Sequence, residues 1–163
     1  MDLTSFEAQV PALADALRAR GWRLATAESC TGGLIAAACT AVAGSSDWFE
    51  RGFVTYSNQA KTELLGVDAG LIVRHGAVSR EVACAMAEGA LAHSPAELSV
   101  AVTGIAGPGG AVPGKPVGTV WLAIGRRGAA AQAELLQLSG DRAAIRAQTV
   151  SAALQRLQQA AAA

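Results

Sequence analysis

The sequence has 163 residues, with 13 lysines and arginines balanced by 13 aspartates and glutamates, so its formal net charge is zero. This length suits one domain with a sizeable core, and we expect a single domain over residues 1–163. The neutral charge, the lack of a basic block and the few aromatic residues argue against a nucleic-acid surface. No run of about 18 apolar residues occurs, and Asp2 and Glu7 precede any apolar run, so we expect neither a membrane-spanning helix nor a signal peptide. The three cysteines form no CxxC pair, which argues against disulfides and zinc and favours a cytoplasmic protein.

The first predicted element is an amphipathic helix near the start of the chain. Thr4 and Glu7 have the spacing of a capping box. Pro11 conflicts with an unbroken helix, so the helix is either kinked there or begins at Pro11, and Gly21 ends it. Four apolar side chains fall on one helical face, at positions Phe6, Val10, Leu13 and Leu17.

A strand, a polar junction and a second helix follow. Residues 22–27 are predicted to form a buried strand, and the small-residue run 34–43 a helix that starts near Thr31. The junction reads Glu28-Ser29-Cys30-Thr31-Gly32-Gly33. A helix start offers unpaired N–H groups and the positive end of the dipole, and glycines let a ligand approach the backbone. The junction therefore suggests a nucleophile beside an anion cradle, and a plain strand–helix turn capped by Thr31 is the alternative.

In the rest of the chain, predicted strands and helices continue to alternate before a hairpin and a last helix. Ser57 or Asn58 is expected to cap one helix, and Ser79 to cap the next, with Val82, Met86 and Ala90 on its inner face. The tail 160–163 is expected to fray. In the last helix, the residues expected to face inward are Ile145, Thr149, Ala152 and Leu157. The predicted elements are a strand at 52–56, a helix at 59–65 ending at Gly66, an irregular segment at 71–77, a helix at 80–92, a buried strand at 98–102, a glycine-rich loop at 103–110, hairpin strands at 117–124 and 131–138, and a helix after Asp141.

This order of elements predicts an α/β fold, namely a three-layer α/β/α sandwich with a mixed, mostly parallel sheet. Such sheets bind ligands at the carboxyl ends of their parallel strands. Ser29, the segment 56–61 and the segment 103–110 each follow a predicted strand. We therefore expect these three segments to converge on one rim of the sheet.

Most familiar catalytic templates do not match. Residues 109–116 read GGAVPGKP and place Pro116 where a phosphate loop needs a hydroxyl for Mg²⁺, which excludes an NTPase. The GxGxxG, GxSxG and SxxK patterns are absent, and two histidines are too few for a metal centre. A serine triad would have to recruit His75, for which a solvated or backbone-bonded histidine is the favoured interpretation.

Lys61 is the remaining candidate for a general base. If Asn58 is the N-cap, Lys61 is the third helical residue, where the helix dipole and partial burial lower its pKa. A neutral amine suits a Ser-Lys enzyme, although an ordinary surface lysine is the alternative. Tyr56 either relays a proton or orients Lys61, or its ring lies in the core.

Two residues compete as the nucleophile. Adjacent strand residues point to opposite sides, so Ser29 and Cys30 are not expected to share a pocket. A thiol at a helix start can have a lowered pKa. We favour Ser29, because a cysteine that faces the sheet interior is the commoner arrangement.

Two further groups have the chemistry to hold an anion. Thr103 and the N–H groups of the loop 104–110 can bind a phosphate or an oxyanion. Arg142 and Arg146 share one helix face and either clamp a phosphate or pair with Asp141 or Glu134. The expected substrate- and phosphate-binding set is Thr31, Gly32, Gly33, Gly104, Gly107, Gly109, Gly110 and Arg142.

Six motifs together resemble the CinA C-terminal domain family along nearly the whole chain. The resemblance implies a nicotinamide mononucleotide deamidase of pyridine-nucleotide recycling, which releases nicotinate mononucleotide and ammonia. It implies a catalytic dyad of Ser29 and Lys61, with Tyr56 and Thr103 close by. In order, the motifs are TAESCTGG at 26–33, YSN at 56–58 with Lys61, HGAVS at 75–79, TGIAGPGG at 103–110, KPVGTV at 115–120 and SGDR at 139–142.

The same resemblance sets expectations for cofactors and partners. It implies no metal and no cofactor, a homodimer, and the stand-alone form without the larger N-terminal domain that many members carry. Two other functions stay open. One is a catalytically silent nucleotide-binding or regulatory module, and the other is a partner in DNA uptake or repair, which the family's name suggests.

Overall fold

The computed structural model describes residues 2–163 and places five strands between two layers of helices. A short 3₁₀ turn at Leu3–Phe6 precedes the first helix, and another at Ser45–Asp47 precedes the second strand. In chain order the elements are α1 (Val10–Arg20), β1 (Leu24–Glu28), α2 (Leu34–Thr40), β2 (Phe49–Val54), α3 (Asn58–Leu65), α4 (Ala69–His75), α5 (Arg80–Ala92), β3 (Leu98–Gly104), β4 (Thr119–Arg126), β5 (Gln132–Gln137) and α6 (Arg142–Ala162).

The sheet has the strand order β2-β1-β3-β4-β5. β1 pairs in parallel with β2 and β3, whereas β4 pairs antiparallel with β3 and β5. Four strands therefore run in one direction and β4 runs against them, which confirms the mixed, mostly parallel sheet. Glu28 at the end of β1 lies between Val54 of β2 and Val102 of β3. The chain segments that follow these strands consequently start side by side at one rim.

The two faces of the sheet differ in the size of their side chains. One face, which we call the large-residue face, packs Leu24, Val100 and Trp48 against α1, α2 and α6. The other, which we call the alanine face, packs Ala25, Ala27 and other small residues against α3, α4 and α5. Successive strand residues point to opposite sides, so the alternation of large and small residues along β1 creates both faces.

Small residues let α5 approach its neighbours on the alanine face closely. At Gly89 of α5, a Cβ would overlap the carbonyl oxygen of Leu65 at the end of α3. At Gly125 of β4, it would overlap the hydroxyl of Ser99. The position of α3 is therefore fixed by backbone contact with α5.

The start of the chain differs from the capping-box prediction. Asp2 caps the first 3₁₀ turn by accepting a hydrogen bond from the N–H of Thr4, and α1 begins only at Val10. Pro11 lies in the first turn of α1, where its missing N–H costs no helical hydrogen bond. The prediction of a helix capped by Thr4 was wrong, and the alternative start near Pro11 was close.

The segment 71–77, predicted to be irregular, is mostly helical. The carboxylate of Asp68 accepts a hydrogen bond from the N–H of Gly70 and caps α4, whose Ile72 is buried. Gly76 ends the helix with a φ of +77°. The sequence prediction overlooked this cap, and the helix is only two turns long.

Several other predicted boundaries shift by a few residues. β2 starts earlier than predicted, at Phe49, and α2 starts later, at Leu34, with Gly33 as its N-cap. Ser57, not Asn58, caps α3. α6 continues to Ala162, so the frayed tail was wrong.

The residues predicted to face inward do so in α5 and α6. Val82, Met86 and Ala90 are buried, as are Ile145, Thr149 and Leu157, while Ala152 is partly buried against the large-residue core. The hairpin of β4 and β5 is confirmed. No helix between residues 2 and 163 combines the length and the apolarity that crossing a bilayer requires.

Candidate active site

Ser29 is the first residue after β1, and its backbone extends the β1–β3 pairing. Its N–H donates to the carbonyl of Val102 at 3.1 Å, and its own carbonyl accepts from the N–H of Gly32 at 3.1 Å. The chain then turns sharply through Gly32 and Gly33, with φ values of 58° and 106°, before it enters α2. Ser29 is 9% exposed. The hydroxyl is thus presented by a fixed turn at the rim where the sequence predicted it.

Lys61 meets Ser29 from the neighbouring helix α3. Because Ser57 is the N-cap, Lys61 is the fourth helical residue and not the third. Its Nζ lies 3.0 Å from Ser29 Oγ, 2.8 Å from the carbonyl oxygen of Thr55 and 3.3 Å from that of Tyr56. The residue is 1% exposed. Lys61 is therefore not an ordinary surface lysine.

The environment of Lys61 favours the neutral amine. Burial lowers the pKa of the Lys61 amine, and nearby Cys30 opposes this shift more weakly. A neutral amine has two N–H bonds and one lone pair. If the two carbonyls of Thr55 and Tyr56 accept those N–H bonds, the lone pair is directed at the Ser29 hydroxyl, which is the arrangement a general base needs.

Cys30 lies in a different environment from Ser29. It is buried, and burial raises the pKa of its thiol to about 11. A thiol in this state is protonated at neutral pH and is a poor nucleophile. The structure therefore separates the two candidates chemically and favours Ser29.

Glu28 is a buried residue of the site that the sequence analysis did not single out. Its carboxylate accepts hydrogen bonds from Thr31 Oγ1 at 2.6 Å and from the N–H groups of Ile35 and Ala36 at 2.9 and 3.0 Å. The helix-start amides predicted to be open are thus partly taken. Within residues 2–163, the N–H groups of Thr31 and Gly33 make no recorded hydrogen bond. The sequence signal that could have identified Glu28 was its charge at the end of an otherwise uncharged, buried strand.

Tyr56 and Arg142 reach each other across the rim. Tyr56 is 61% exposed, so its ring does not lie in the core. Arg142 donates to the Tyr56 hydroxyl at 3.2 Å and to the carbonyl of Gly107 at 2.8 Å. This pair connects the end of β2 to the glycine-rich loop.

Arg146 lies one helical turn beyond Arg142 and contacts the nucleophile turn. It donates to the carbonyls of Cys30 and Thr31 at 3.2 and 3.3 Å. Glu134 pairs instead with Arg156, and Asp141 caps α6. The recorded partners of Arg142 and Arg146 are therefore neutral oxygens. Among residues 2–163 the alternative to a phosphate clamp, an ion pair of either arginine with Asp141 or Glu134, is not found.

Thr103 is buried at the end of β3, next to β1. Its hydroxyl donates to the carbonyl of Ala77 at 2.9 Å, which connects β3 to the segment before α5. Among residues 2–163 the structure records no hydrogen bond between Thr103 and Ser29 or Lys61. A catalytic role for Thr103 stays a prediction.

The glycine-rich loop after β3 is partly packed and partly open. A Cβ at Gly104 would lie 2.6 Å from Val120 Cγ2, and one at Gly107 would lie 2.6 Å from Val117 Cγ1. Gly109 has open space around it, and Gly110 has a φ of +93°. Gly104 and Gly107 thus let the loop pack against the chain around β4, while Gly109 is free to meet a ligand.

The match to known proteins agrees with this arrangement. A sequence profile described as the CinA C-terminal domain matches residues 7–161. The chain belongs to the CinA C-terminal domain family.

Individual members of the family are similar over most of their length. "Nicotinamide-nucleotide amidohydrolase PncC" of Pseudomonas putida is 56% identical over 147 residues, which cover 90% of this chain and 91% of that protein. The protein of the same name from Escherichia coli is 51% identical over 144 residues, 88% and 87% of the two chains. A solved competence-damaged protein (CinA) superfamily structure from Klebsiella pneumoniae has a TM-score of 0.92 at 40% identity, and the match covers 96% of this chain and 98% of that one.

Two of the CinA C-terminal domain motifs form contacts that hold the scaffold. Lys115 donates to the carbonyl of His75 at 2.9 Å, and Ser79 caps α5. The His75 ring lies 3.6 Å from the Glu81 carboxylate. Among residues 2–163 the hydrogen-bond partner of the Ser29 hydroxyl is Lys61, and none is recorded between His75 and Ser29. In the described part of the chain, no three side chains of metal-ligand type form a cluster.

Proposed function

We propose that this protein hydrolyses the carboxamide of nicotinamide mononucleotide to nicotinate mononucleotide and ammonia, with Ser29 as nucleophile and Lys61 as general base. The observation that carries the chemistry is the 3.0 Å contact between Lys61 Nζ and Ser29 Oγ. The names of relatives that are more than half identical support the substrate. The protein is accordingly an amidohydrolase that acts on a linear carboxamide.

Acylation begins with the proton of the Ser29 hydroxyl. Lys61 accepts this proton as Ser29 Oγ attacks the carboxamide carbon, so an O–C bond forms and the carbonyl oxygen becomes an oxyanion. The N–H groups of Thr31 and Gly33, and that of Gly104 at the end of β3, are the candidate donors to this oxyanion. Burial lowers the pKa of Lys61, which raises the fraction of neutral amine present before the reaction starts.

Breakdown of the intermediate completes the cycle. The C–N bond breaks, and ammonia leaves with the proton held by Lys61. If Tyr56 gives that proton instead, the proton on Lys61 returns to Tyr56 before water attacks. Water then attacks the acyl-enzyme while Lys61 accepts its proton, which releases the nicotinate carboxyl group and restores Ser29. Each proton removed in one step is returned in the next, so the dyad requires no metal or cofactor.

The 5′-phosphate of the substrate requires a cationic partner. Arg142 and Arg146 reach the rim on one helix face with neutral oxygens as recorded partners, so their charges are available to an anion. Open amides near Gly109 add donors, and Tyr56 orients Arg142. We propose Arg142, with the glycine-loop amides, as the main phosphate contact.

Location and assembly follow from the family resemblance. We propose a cytoplasmic homodimer, and the three free cysteines are compatible with a reducing compartment. The zero net charge argues against a nucleic-acid partner. Light scattering of the purified protein tests the dimer, and a DNA-binding titration at low salt tests the absence of nucleic-acid contact.

The decisive experiment measures ammonia release from nicotinamide mononucleotide and from a small panel of other amides. We expect Ser29→Ala and Lys61→Met to lower kcat by about 10³-fold or more, because the two residues act as a unit. Ser99→Ala is the matched control, since it removes a buried hydroxyl that donates to the carbonyl of Ala87 in α5, near the start of β3 and at the opposite end of that strand from the rim.

Three results would overturn parts of this proposal. Full activity in Ser29→Ala would eliminate the serine mechanism. Loss of activity in Cys30→Ala with activity kept in Ser29→Ala would assign the reaction to the thiol. A wild-type protein that binds the nucleotide without releasing ammonia would be a catalytically silent nucleotide-binding module.

A further inference from the structure

We infer that Glu28 is a positioning residue that fixes the Ser29 hydroxyl for attack. The inference rests on the proposed function, because it assigns Glu28 a part in the same reaction without contact to the substrate. Glu28 is 1% exposed and precedes Ser29 directly. Its carboxylate has three hydrogen-bond donors, and all three come from the chain that follows Ser29.

These contacts close the nucleophile turn into a ring. Glu28 is the last residue of β1, and its carboxylate reaches past the turn to the N–H groups of Ile35 and Ala36 in α2. Thr31 contributes its hydroxyl from within the turn. The segment from 28 to 36 is therefore joined to its own start. Ser29 lies within this ring, and its N–H is also bonded to the backbone of β3.

Glu28 also replaces an ordinary helix cap. The N-cap of α2 is Gly33, which has no side chain to accept a hydrogen bond, and the first turn of α2 contains no acidic residue. The carboxylate at the end of β1 supplies the acceptor and the negative charge that a helix start favours. A substrate phosphate cannot use the N–H groups of Ile35 and Ala36 while Glu28 holds them, which is consistent with a phosphate site made by Arg142 and the glycine-loop amides.

Arg146 holds the same turn from its outer side. Its guanidinium contacts the carbonyls of Cys30 and Thr31, while Glu28 contacts the donors on the inner side. The turn thus has partners of opposite charge on two sides. Loss of the Glu28 contacts would free the turn to shift, and a displacement of about 1 Å at a reacting group can lower the rate by about 10²-fold.

The test compares Glu28→Gln and Thr31→Val with the Ser99→Ala control. Glutamine keeps the length of the side chain but replaces one acceptor oxygen with an NH₂ group, which sets donor against donor. Thr31→Val removes one of the three donors and leaves Glu28 in place. We expect kcat to fall about 10- to 100-fold in Glu28→Gln and less in Thr31→Val, with KM changed less than about threefold. Ser99→Ala loses a buried hydrogen bond of similar kind and should keep its kcat.

A second readout does not depend on the nucleotide. The rate at which a small sulfonyl fluoride modifies Ser29 reports the nucleophile alone, and we expect it to fall in the same order as kcat. The two proposals can fail separately. If Glu28→Gln is labelled more slowly than the wild type but the wild type releases no ammonia, the result would support this inference and contradict the proposed function.

The opposite pattern overturns the inference. A Glu28→Gln enzyme with wild-type kcat and labelling rate would show that Glu28 only stabilises the fold. A rise in KM with kcat unchanged would make it a substrate-binding residue. If Glu28→Gln does not fold, an unchanged kcat and labelling rate in Thr31→Val overturns the positioning role.

Discussion

The two faces of the sheet differ in what their side chains do. The large-residue face contains Leu17, Leu24 and Trp48 among its buried side chains and provides most of the apolar volume. The alanine face contains small residues, and Ser29 and Lys61 meet at its rim. Burial of large side chains provides stability in proportion to the apolar area removed from water. The close backbone contacts of the alanine face bury little apolar area but fix the positions of its helices. Most of the stability therefore comes from the large-residue face, and the catalytic geometry depends on the alanine face.

The largest effect on stability is expected from the large-residue face. Leu17→Ala in α1 should lower the free energy of unfolding by about 2–5 kcal/mol, since it leaves a cavity in a closed core. Because α1 does not contact the dyad, kcat of the folded enzyme should stay unchanged. Urea denaturation and ammonia release at low temperature measure the two quantities. A kcat that fell with stability would show that the faces are not independent.

A smaller change on the alanine face should affect catalysis as well as stability. Gly89→Ala would bring a Cβ into the carbonyl oxygen of Leu65 and push α5 away from α3, which carries Lys61. We expect a loss of about 1–3 kcal/mol in stability and a fall in kcat of about tenfold or more. The matched control is Gly70→Ala in α4, where the nearest atoms to a Cβ are the side-chain ends of Arg74 at 3.2 Å and of the capping Asp68 at 3.4 Å. Only the Arg74 side chain has to shift, and alanine should stabilise the helix by up to about 1 kcal/mol. Equal kcat values in the two variants would contradict the positional role of the alanine face.

The smallest expected effect is the pH dependence that Lys61 brings to this face. Burial lowers the pKa of its amine, so activity should rise with pH through a midpoint below the ordinary lysine value of about 10.4. The folded state then binds fewer protons than the unfolded state between those two pKa values, and stability should rise with pH across that window. Lys61→Met should lack this rise. Activity that fell through the window, or parallel stability curves for the two proteins, would show that the amine is charged in the folded state.

The convergence of Ser29 and Lys61 was predictable because each follows a strand, and β1 and β2 are neighbours in the sheet. Residue types and spacing contained that information. The contacts of Glu28 were not predictable from local patterns, since a strand residue caps a helix that begins six positions later. A cap is normally sought at the helix start, and Gly33 stands there.

The helix boundaries show a similar limit. α5 and α6 were predicted well because they are long and their apolar spacing is regular. α4 was overlooked because two turns contain too few residues to establish a period, and its Asp68 cap was the only strong signal. The sequence did not decide whether the Tyr56 ring is buried or exposed. Strand alternation does not reveal that the hydroxyl accepts a hydrogen bond from Arg142, which is distant in the sequence.

The hydrogen-bond partners of the Lys61 amine have a consequence for how this protein tolerates change. Two of the three are carbonyls of Thr55 and Tyr56, which belong to the main chain. No point substitution deletes a peptide oxygen, so genetic variation at positions 55 and 56 exchanges side chains and spares the groups that aim the amine. A mutational scan would therefore miss the part that these peptide oxygens play in orienting the proposed base, even where it detects the contact of the Tyr56 side chain with Arg142.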